Sequence, residues 1–138
     1  MPKVIASAKA LIQNQNKFLI IKELTYKSHV WDLPGGKVEY GENPEDTVKR
    51  EVQEELDIQI NLSKSIGLWW FFSANHRHQV ICHTFLAQPE PGFKINTSKN
   101  PSDEQITDWQ WLTKTELLKQ NAPGLTESFK KMLQKADL

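Results

Sequence analysis

Trp31-Asp32-Leu33-Pro34-Gly35-Gly36-Lys37-Val38-Glu39-Tyr40-Gly41-Glu42-Asn43-Pro44-Glu45-Asp46-Thr47-Val48-Lys49-Arg50-Glu51-Val52-Gln53-Glu54-Glu55-Leu56-Asp57-Ile58 is the stretch on which the fold turns. Its second half reads as a helix opening at Asn43-Pro44. Asn is a strong N-cap, and Pro suits the first helical position because its missing N–H would be unpaired there. Glu45 and Asp46 put negative charge on the first turn, which suits the helix dipole. Val48, Val52 and Leu56 recur at i, i+4 and i+8 and give the helix one apolar stripe.

Glu51, Glu54 and Glu55 stand at i, i+3 and i+4 on the same helix. They fall within an arc of about 100°, beside the apolar stripe, so the spacing predicts three carboxylates at the edge of the buried face. Like charges there repel, and partial burial makes each costlier. A hard divalent cation resolves that conflict. Mg²⁺ takes carboxylate oxygens, keeps several waters and can hold phosphate oxygens as well. Arg50 keeps its charge, and its fork can hold a neighbouring carboxylate. Before the helix, Pro34-Gly35-Gly36 lets the backbone turn and approach a ligand, where a carbonyl could add a neutral oxygen ligand. Glu42 could support a second ion or its water. Taken one at a time, these features have ordinary explanations: a Glu-rich helix is usually a solvated face, and Pro-Gly-Gly is usually a turn.

Upstream, Val4, Ala6, Ala8, Ala10 and Ile12 alternate with Ser7 and Lys9, the period of a strand. Asn14-Gln15-Asn16 supplies turn residues, and residues 17–21 form the second arm of a hairpin. Residues 24–30 read as a polar connection. Downstream, residues 58–62 alternate, and residues 68–72 and 80–86 are rich in β-branched and aromatic side chains, which predicts strands. Residues 88–102, with three prolines, read as a long loop before a strand at 106–112. Helices are expected over 115–120 and 125–136. Strands with segregated helices point to an α/β sandwich with a mixed β-sheet.

The 138 residues suit a single domain spanning 1–138. Lys and Arg number 17 and so do Asp and Glu, a balance that argues against bulk nucleic-acid binding but permits a small anionic substrate in a charged pocket. Cys82 is the one cysteine and lies in an apolar run, so it reads as a small core side chain rather than a nucleophile. Lys9 interrupts the N-terminal apolar stretch and no run is long enough to span a bilayer, so a cytoplasmic protein without a membrane partner is the expectation. Trp31, Trp69, Trp70, Phe71 and Phe72 could stack on a base or fill the core, and Trp69 and Trp70 point to opposite faces of a regular strand. His76-Arg77-His78 reads as a hairpin tip.

The combination is more specific than its parts. Gly36, five residues, Glu42, seven residues, then Arg50-Glu51-Val52-any-Glu54-Glu55-any-any-Ile58 resembles the Nudix box, over residues 36–58. Six fixed residues at about 6–7 % frequency coincide roughly once in ten million windows, so chance is a poor explanation. The resemblance extends more weakly along the whole chain. One position departs: Asp57 stands where the family has Gly, at the expected left-handed end of the helix, and Asp tolerates that conformation better than most residues.

The resemblance implies a Nudix-type α/β/α sandwich and Mg²⁺-dependent hydrolysis, with Mn²⁺ as a substitute, of a diphosphate linkage in a nucleoside diphosphate derivative or nucleoside triphosphate. It implies Gly35 (through its carbonyl), Glu51, Glu54 and Glu55 as metal ligands, and Arg50, Glu51 and Glu54 as catalytic residues. Gly35, Gly36 and Trp31 are the expected substrate-binding residues. The general base varies in this family. Glu104, before the strand at 106–112, is favoured over Asp103, with Glu51 as the candidate inside the box. Homodimers are common in the family. A non-catalytic nucleotide sensor on the same fold is the alternative, and it leaves three clustered carboxylates without a purpose.

Overall fold

Alternation of period two builds the centre of the sheet. On β2 (Lys17–Leu24), Leu19 and Ile21 join one core cluster while Phe18 and Ile20 join the other. On β1 (Lys3–Asn14), Ala8, Ala10 and Ile12 face one side and Leu11 the other. Both strands are therefore central, with helices on both faces. The structure, a computed structural model, describes residues 1–24, 29–73, 77–100, 105–120 and 124–138.

The remaining elements are β3 (His29–Asp32), β4 (Gly35–Lys37), α1 (Pro44–Leu56), β5 (Ile60–Phe72), β6 (His78–Pro89), β7 (Gln105–Leu112), α2 (Lys114–Lys119) and α3 (Glu127–Lys135). They form a seven-stranded sheet in the order β3-β2-β1-β6-β5, with β4 on β1 and β7 on β2. β1 and β6 run parallel from Lys3↔His78 to Ile12↔Ala87, and the other pairs are antiparallel, so the sheet is mixed. Helix α1 covers one face and α2 and α3 the other, giving the α/β/α sandwich. Among the described residues, no helix is long and apolar enough to cross a membrane.

Helix α1 begins and ends as its sequence dictates. The Asp46 N–H donates to Asn43 Oδ1 at 2.8 Å, and Pro44 follows the cap. Val48, Val52 and Leu56 are buried against the sheet, and each contributes roughly 1.5–3 kcal/mol. Asp57 ends the helix in the left-handed conformation (φ 55°, ψ 38°), its N–H returning to the Gln53 carbonyl. Two helper contacts lie beyond the reach of sequence: Gln53 Nε2 donates to the Asp57 carboxylate at 2.9 Å, and Lys99 Nζ reaches it at 3.4 Å.

Four local readings change. Leu24 ends β2 while His29 and Val30 open β3, so both ends of the expected connection at 24–30 are strand. The Pro34-Gly35-Gly36 segment leads into a short strand, because without side chains Gly35 and Gly36 can lie against Lys9 and Ala8 of β1. Residues 58–62 and 68–72 are not separate strands. β5 runs continuously through them, absorbing irregularities at Leu62/Lys64 and Ser65/Gly67. Gln88 and Pro89, assigned to the long loop, continue β6 as partners of Asn61 and Ile60. Strand β5 lies at the sheet's edge, and α3 blunts it at Trp70: Thr126 Oγ1 and Ser128 Oγ donate to the Trp70 carbonyl, at 2.9 and 2.8 Å. The Trp70 N–H donates back to Ser128 Oγ at 2.9 Å.

The left-handed end of α1 sets up a direct comparison. Asp57→Gly removes Cβ strain of roughly 1 kcal/mol and an unfavourable charge at the helix C-terminus, while losing two exposed contacts and some chain stiffness. Asp57→Ala keeps the strain and loses the contacts. In urea denaturation the glycine variant should be at least as stable as the parent, with the alanine variant about 1 kcal/mol below the glycine variant. Equal stability of the two variants would show that the left-handed turn carries no strain.

Candidate functional site

The buried face of α1 brings two of the three box carboxylates inward. Glu51 is 7 % exposed and Glu55 only 2 %. Glu55 Oε1 accepts the Gly35 N–H at 2.8 Å. Gly36 lies against Glu51 so closely that an added Cβ would stand 2.5 Å from the Glu51 carboxyl carbon. Helix α1 and strand β4 are therefore joined by the hydrogen bond between Glu55 and Gly35, with Glu51 packed against Gly36.

Arg50 organises the outer side of this cluster. Its Nε and Nη2 donate to the two oxygens of Glu42 at 2.8 and 3.0 Å. Its Nη1 reaches Glu51 Oε1 at 3.1 Å and Glu54 Oε1 at 3.3 Å. The Arg50 hydrogen bonds hold the Glu42 carboxyl well below the usual range, at about 2, helped by Thr47 Oγ1 and the Glu39 N–H. Glu42 thus serves as a clamp on the arginine. Burial pushes the Glu55 carboxyl well above its ordinary range, and Glu23 nearby adds to this, while Lys9 and the Gly35 N–H pull the other way. Glu55 is the expensive charge of the site.

A cleft of about 470 Å³ opens beside these groups. Gly35, Gly36, Glu51 and Glu55 form one wall. Lys9 and Asp32 line it as well, joined by a 2.9 Å ion pair. Ile5, Val80 and Phe71, facing one another across β1, β6 and β5, supply apolar surface. Glu23, Lys37 and Glu39 complete the charged lining. Burial alone lowers the Lys9 ammonium pKa, but Asp32, then Glu23, outweigh it and lift the group above the ordinary lysine range.

The expected residues meet different fates. Gly35, Gly36, Glu51 and Glu55 come together at the cleft. Glu54 sits on the exposed flank, its side chain 41 % exposed and tied to Arg50. Trp31 packs against the core cluster under α2 and α3, with Lys22 Nζ 5.7 Å from its ring centroid, and does not line the cleft. Trp69 is buried, its indole N–H donating to Thr84 Oγ1, and Trp70 is exposed on the opposite face; Phe71 reaches the cleft instead. Cys82 is a buried core side chain whose thiol burial pushes up to about 12. Asp103, Glu104 and His76 lie outside the described residues. Lys9, Asp32 and Glu23 escaped sequence reasoning, although a lysine in the apolar run of β1 was the available signal.

The donor set suits a hard cation in chemistry more than in convergence. Among the described residues, no three acids, histidines or cysteines stand close enough together to hold an ion by themselves. Arg50 draws Glu51 and Glu54 to itself, and Glu55 faces Gly35. Mg²⁺ tolerates this, since it is commonly held by one or two carboxylates, waters and the substrate's own phosphates. The raised pKa of Glu55 is the observation that favours a fit, because a nearby cation would stabilise its charged form.

The two glycines separate fold from site. Gly35 has φ +139°, and a Cβ there would overlap the Ala8 carbonyl, which is backbone and cannot move aside. At Gly36 the three heavy atoms nearest an added Cβ all belong to the Glu51 side chain, which can give way. Gly35→Ala should therefore cost several kcal/mol in denaturation, or fail to fold. Gly36→Ala should fold with a loss of no more than about 1–3 kcal/mol, as the Glu51 side chain is displaced. Equal losses of stability in the two variants would show that the two glycines are not held by different constraints.

A family model described as a NUDIX domain matches residues 2–135. The NAD-capped RNA hydrolase NudC of Photobacterium profundum is 30 % identical over 117 residues, covering 84 % of this chain and 40 % of its own. A MutT-like protein of Streptomyces ambofaciens is 26 % identical over 113 residues, covering 82 % of this chain and 66 % of that one. The chain thus spans 40 % and 66 % of these relatives' lengths. The crystal structure of the MutT protein from Methanosarcina mazei Go1 matches with a TM-score of 0.79 at 24 % identity, covering 97 % of this chain and 93 % of that one, a likeness of fold. A match along nearly the whole chain, joined to a glycine-bound acidic helix where the box requires it, leaves one conclusion: this chain belongs to the Nudix family.

Proposed function

We propose that the protein hydrolyses a diphosphate linkage in a nucleoside diphosphate derivative or nucleoside triphosphate, using Mg²⁺, with Mn²⁺ as a substitute. The observation that carries the reading is the pair Glu51 and Glu55, buried on α1, Glu55 hydrogen-bonded to Gly35 and Glu51 against Gly36, and opening on a cleft large enough for a nucleotide.

Glu51, Glu54, Glu55 and the Gly35 carbonyl are the proposed ligands. The bound ion would neutralise charge on phosphate oxygens and make water a better nucleophile. Arg50 fixes the orientation of Glu51 and Glu54, and Glu42 fixes Arg50. Lys37, on the cleft wall, can pair with a phosphate. Ile5, Val80 and Phe71 can exclude water from the organic part of the substrate. Glu104 is the proposed general base, on its place in the sequence just before β7.

Glu54→Gln and Glu55→Gln should each lower turnover on a nucleotide panel by on the order of 10²-fold or more, with circular dichroism unchanged. Excess Mg²⁺ or Mn²⁺ should raise the melting temperature of the parent relative to EDTA, and raise it less in both variants. Near-normal turnover in both would rule out this metal site. A second pair locates the base. Glu104→Gln should slow turnover by roughly 10²–10⁴-fold, with the metal-induced melting shift preserved, while Asp103→Asn should change little. Equal small effects would return the role to Glu51.

A further inference from the structure

A helix ends with backbone carbonyls that have no partner inside it. In α1 the Asp57 N–H closes the last helical bond, to the Gln53 carbonyl at 3.0 Å, which leaves the carbonyls of Glu54, Glu55 and Leu56. The Asn96 N–H takes that of Leu56 at 2.9 Å. One side chain takes the other two. Asn100 Nδ2 donates to the Glu55 carbonyl at 2.6 Å and to the Glu54 carbonyl at 3.3 Å. These carbonyls belong to the two residues of the last turn whose carboxylates are proposed metal ligands.

The far end of the same amide is engaged as well. Asn100 Oδ1 accepts the Ile106 N–H at 3.1 Å, where β7 begins. A side-chain amide carries two donors and an acceptor on one small group, and here the donor side serves the helix and the acceptor side the strand. β7 pairs with β2 and sets Ile106 opposite Glu23, which lines the cleft. Asn100 therefore bridges the ligand-bearing turn of α1 to a strand that backs the cleft. The segment leading to it has supports of its own. Phe93 and Ile95 pack against the core cluster under α1, and Ser98 donates through its N–H and its Oγ to Asn96 Oδ1, at 2.9 and 2.7 Å. The last turn of a helix is where fraying begins, while a metal site needs its ligands held to within roughly 0.5 Å.

We propose that Asn100 is a positioning residue for the metal site. By tying the Glu54 and Glu55 carbonyls to the start of β7, it holds the last turn of α1 in the register from which both carboxylates serve one cation. This rests on the reading of Glu54 and Glu55 as ligands and adds the residue that keeps them in place. Asn100 acts through the helix backbone and touches neither cation nor substrate.

Mn²⁺ alone is the probe. It is titrated calorimetrically into the parent, Asn100→Ala, Asn100→Asp and Asn96→Ala, with urea denaturation of each protein alongside. Asn100→Ala removes both ends of the bridge. Asn100→Asp keeps an acceptor for the Ile106 N–H and loses the donors to α1. Its added negative charge favours a cation, so weaker binding by that variant does not come from charge. Asn96→Ala loosens the same segment but leaves Asn100 and its carbonyl partners intact. Both Asn100 variants should bind Mn²⁺ on the order of 10-fold more weakly than the parent, with Asn96→Ala within about twofold of it. Should Asn100→Ala not fold, Asn100→Asp, which keeps the link to β7, carries the comparison. Parent-like affinity in either Asn100 variant would overturn the proposal. A loss in Asn96→Ala as large as theirs would do so too, since weaker binding would then follow from lower stability alone. A parent that binds no Mn²⁺ would remove the metal reading itself, and the proposal with it, whereas a parent that binds alongside unaffected Asn100 variants removes the proposal only.

Discussion

The close approach of Gly35 to β1 is the constraint on which the site depends. A side chain at this position would collide with the Ala8 carbonyl, and the residue's φ of +139° is one that glycine alone adopts readily. Freed of that obstacle, β4 pairs with Ser7, Ala8 and Lys9 of β1. The Gly35 N–H, turned away from the ladder, meets Glu55. The same backbone segment therefore completes the sheet and anchors the acidic helix. Helix α1 is held from below by Val48, Val52 and Leu56 and from the side by this hydrogen bond, which fixes its rotation about its own axis.

That rotation explains why the three box carboxylates differ. Glu55 is turned inward and bears the largest desolvation cost, Glu51 lies beneath Gly36, and Glu54 looks outward. One arginine serves the cluster because its planar fork can address Glu42 through two nitrogens while the third reaches Glu51 and Glu54. The arginine balances the outer charge. The inner charge on Glu55 is left to Lys9, the Gly35 N–H and whatever cation enters the cleft.

Local rules made α1 legible in the sequence. Asn43, Pro44, the apolar stripe and the left-handed Asp57 all follow from interactions within a few residues. The alternation of β1 and its hairpin with β2 were equally plain. What could not be read depends on distant partners. The strand character of Gly35–Lys37 comes from β1, and the continuity of β5 comes from β6, which supplies partners across both irregularities. Counting helical angles put Glu51, Glu54 and Glu55 in one arc, but it could not say that Arg50 would draw two of them aside. Asp32 belonged to the deciding stretch and was passed over, because its partner, Lys9, lies on another strand 23 residues away.

The position of the cleft has a topological cause. β1 must satisfy β6 along one edge from Lys3 to Ile12, and on its other edge it pairs with β2 only next to their turn, at Gln13↔Phe18 and Asn14↔Lys17. Beyond that point β2 turns to β3 and β7, and β4 takes the vacated edge of β1. Two sheets' worth of pairing thus diverge from one hairpin, and side chains between the branches cannot be covered by a neighbouring strand. Lys9 from β1 and Asp32 from β3 occupy that gap, and the charge each carries needs the other as partner. The division of the sheet makes the opening, and the branch that carries β4 brings the acidic helix to its edge. The buried carboxylates of α1 and the ion pair of Lys9 and Asp32 therefore share one cleft as a consequence of how β1 distributes its hydrogen bonds.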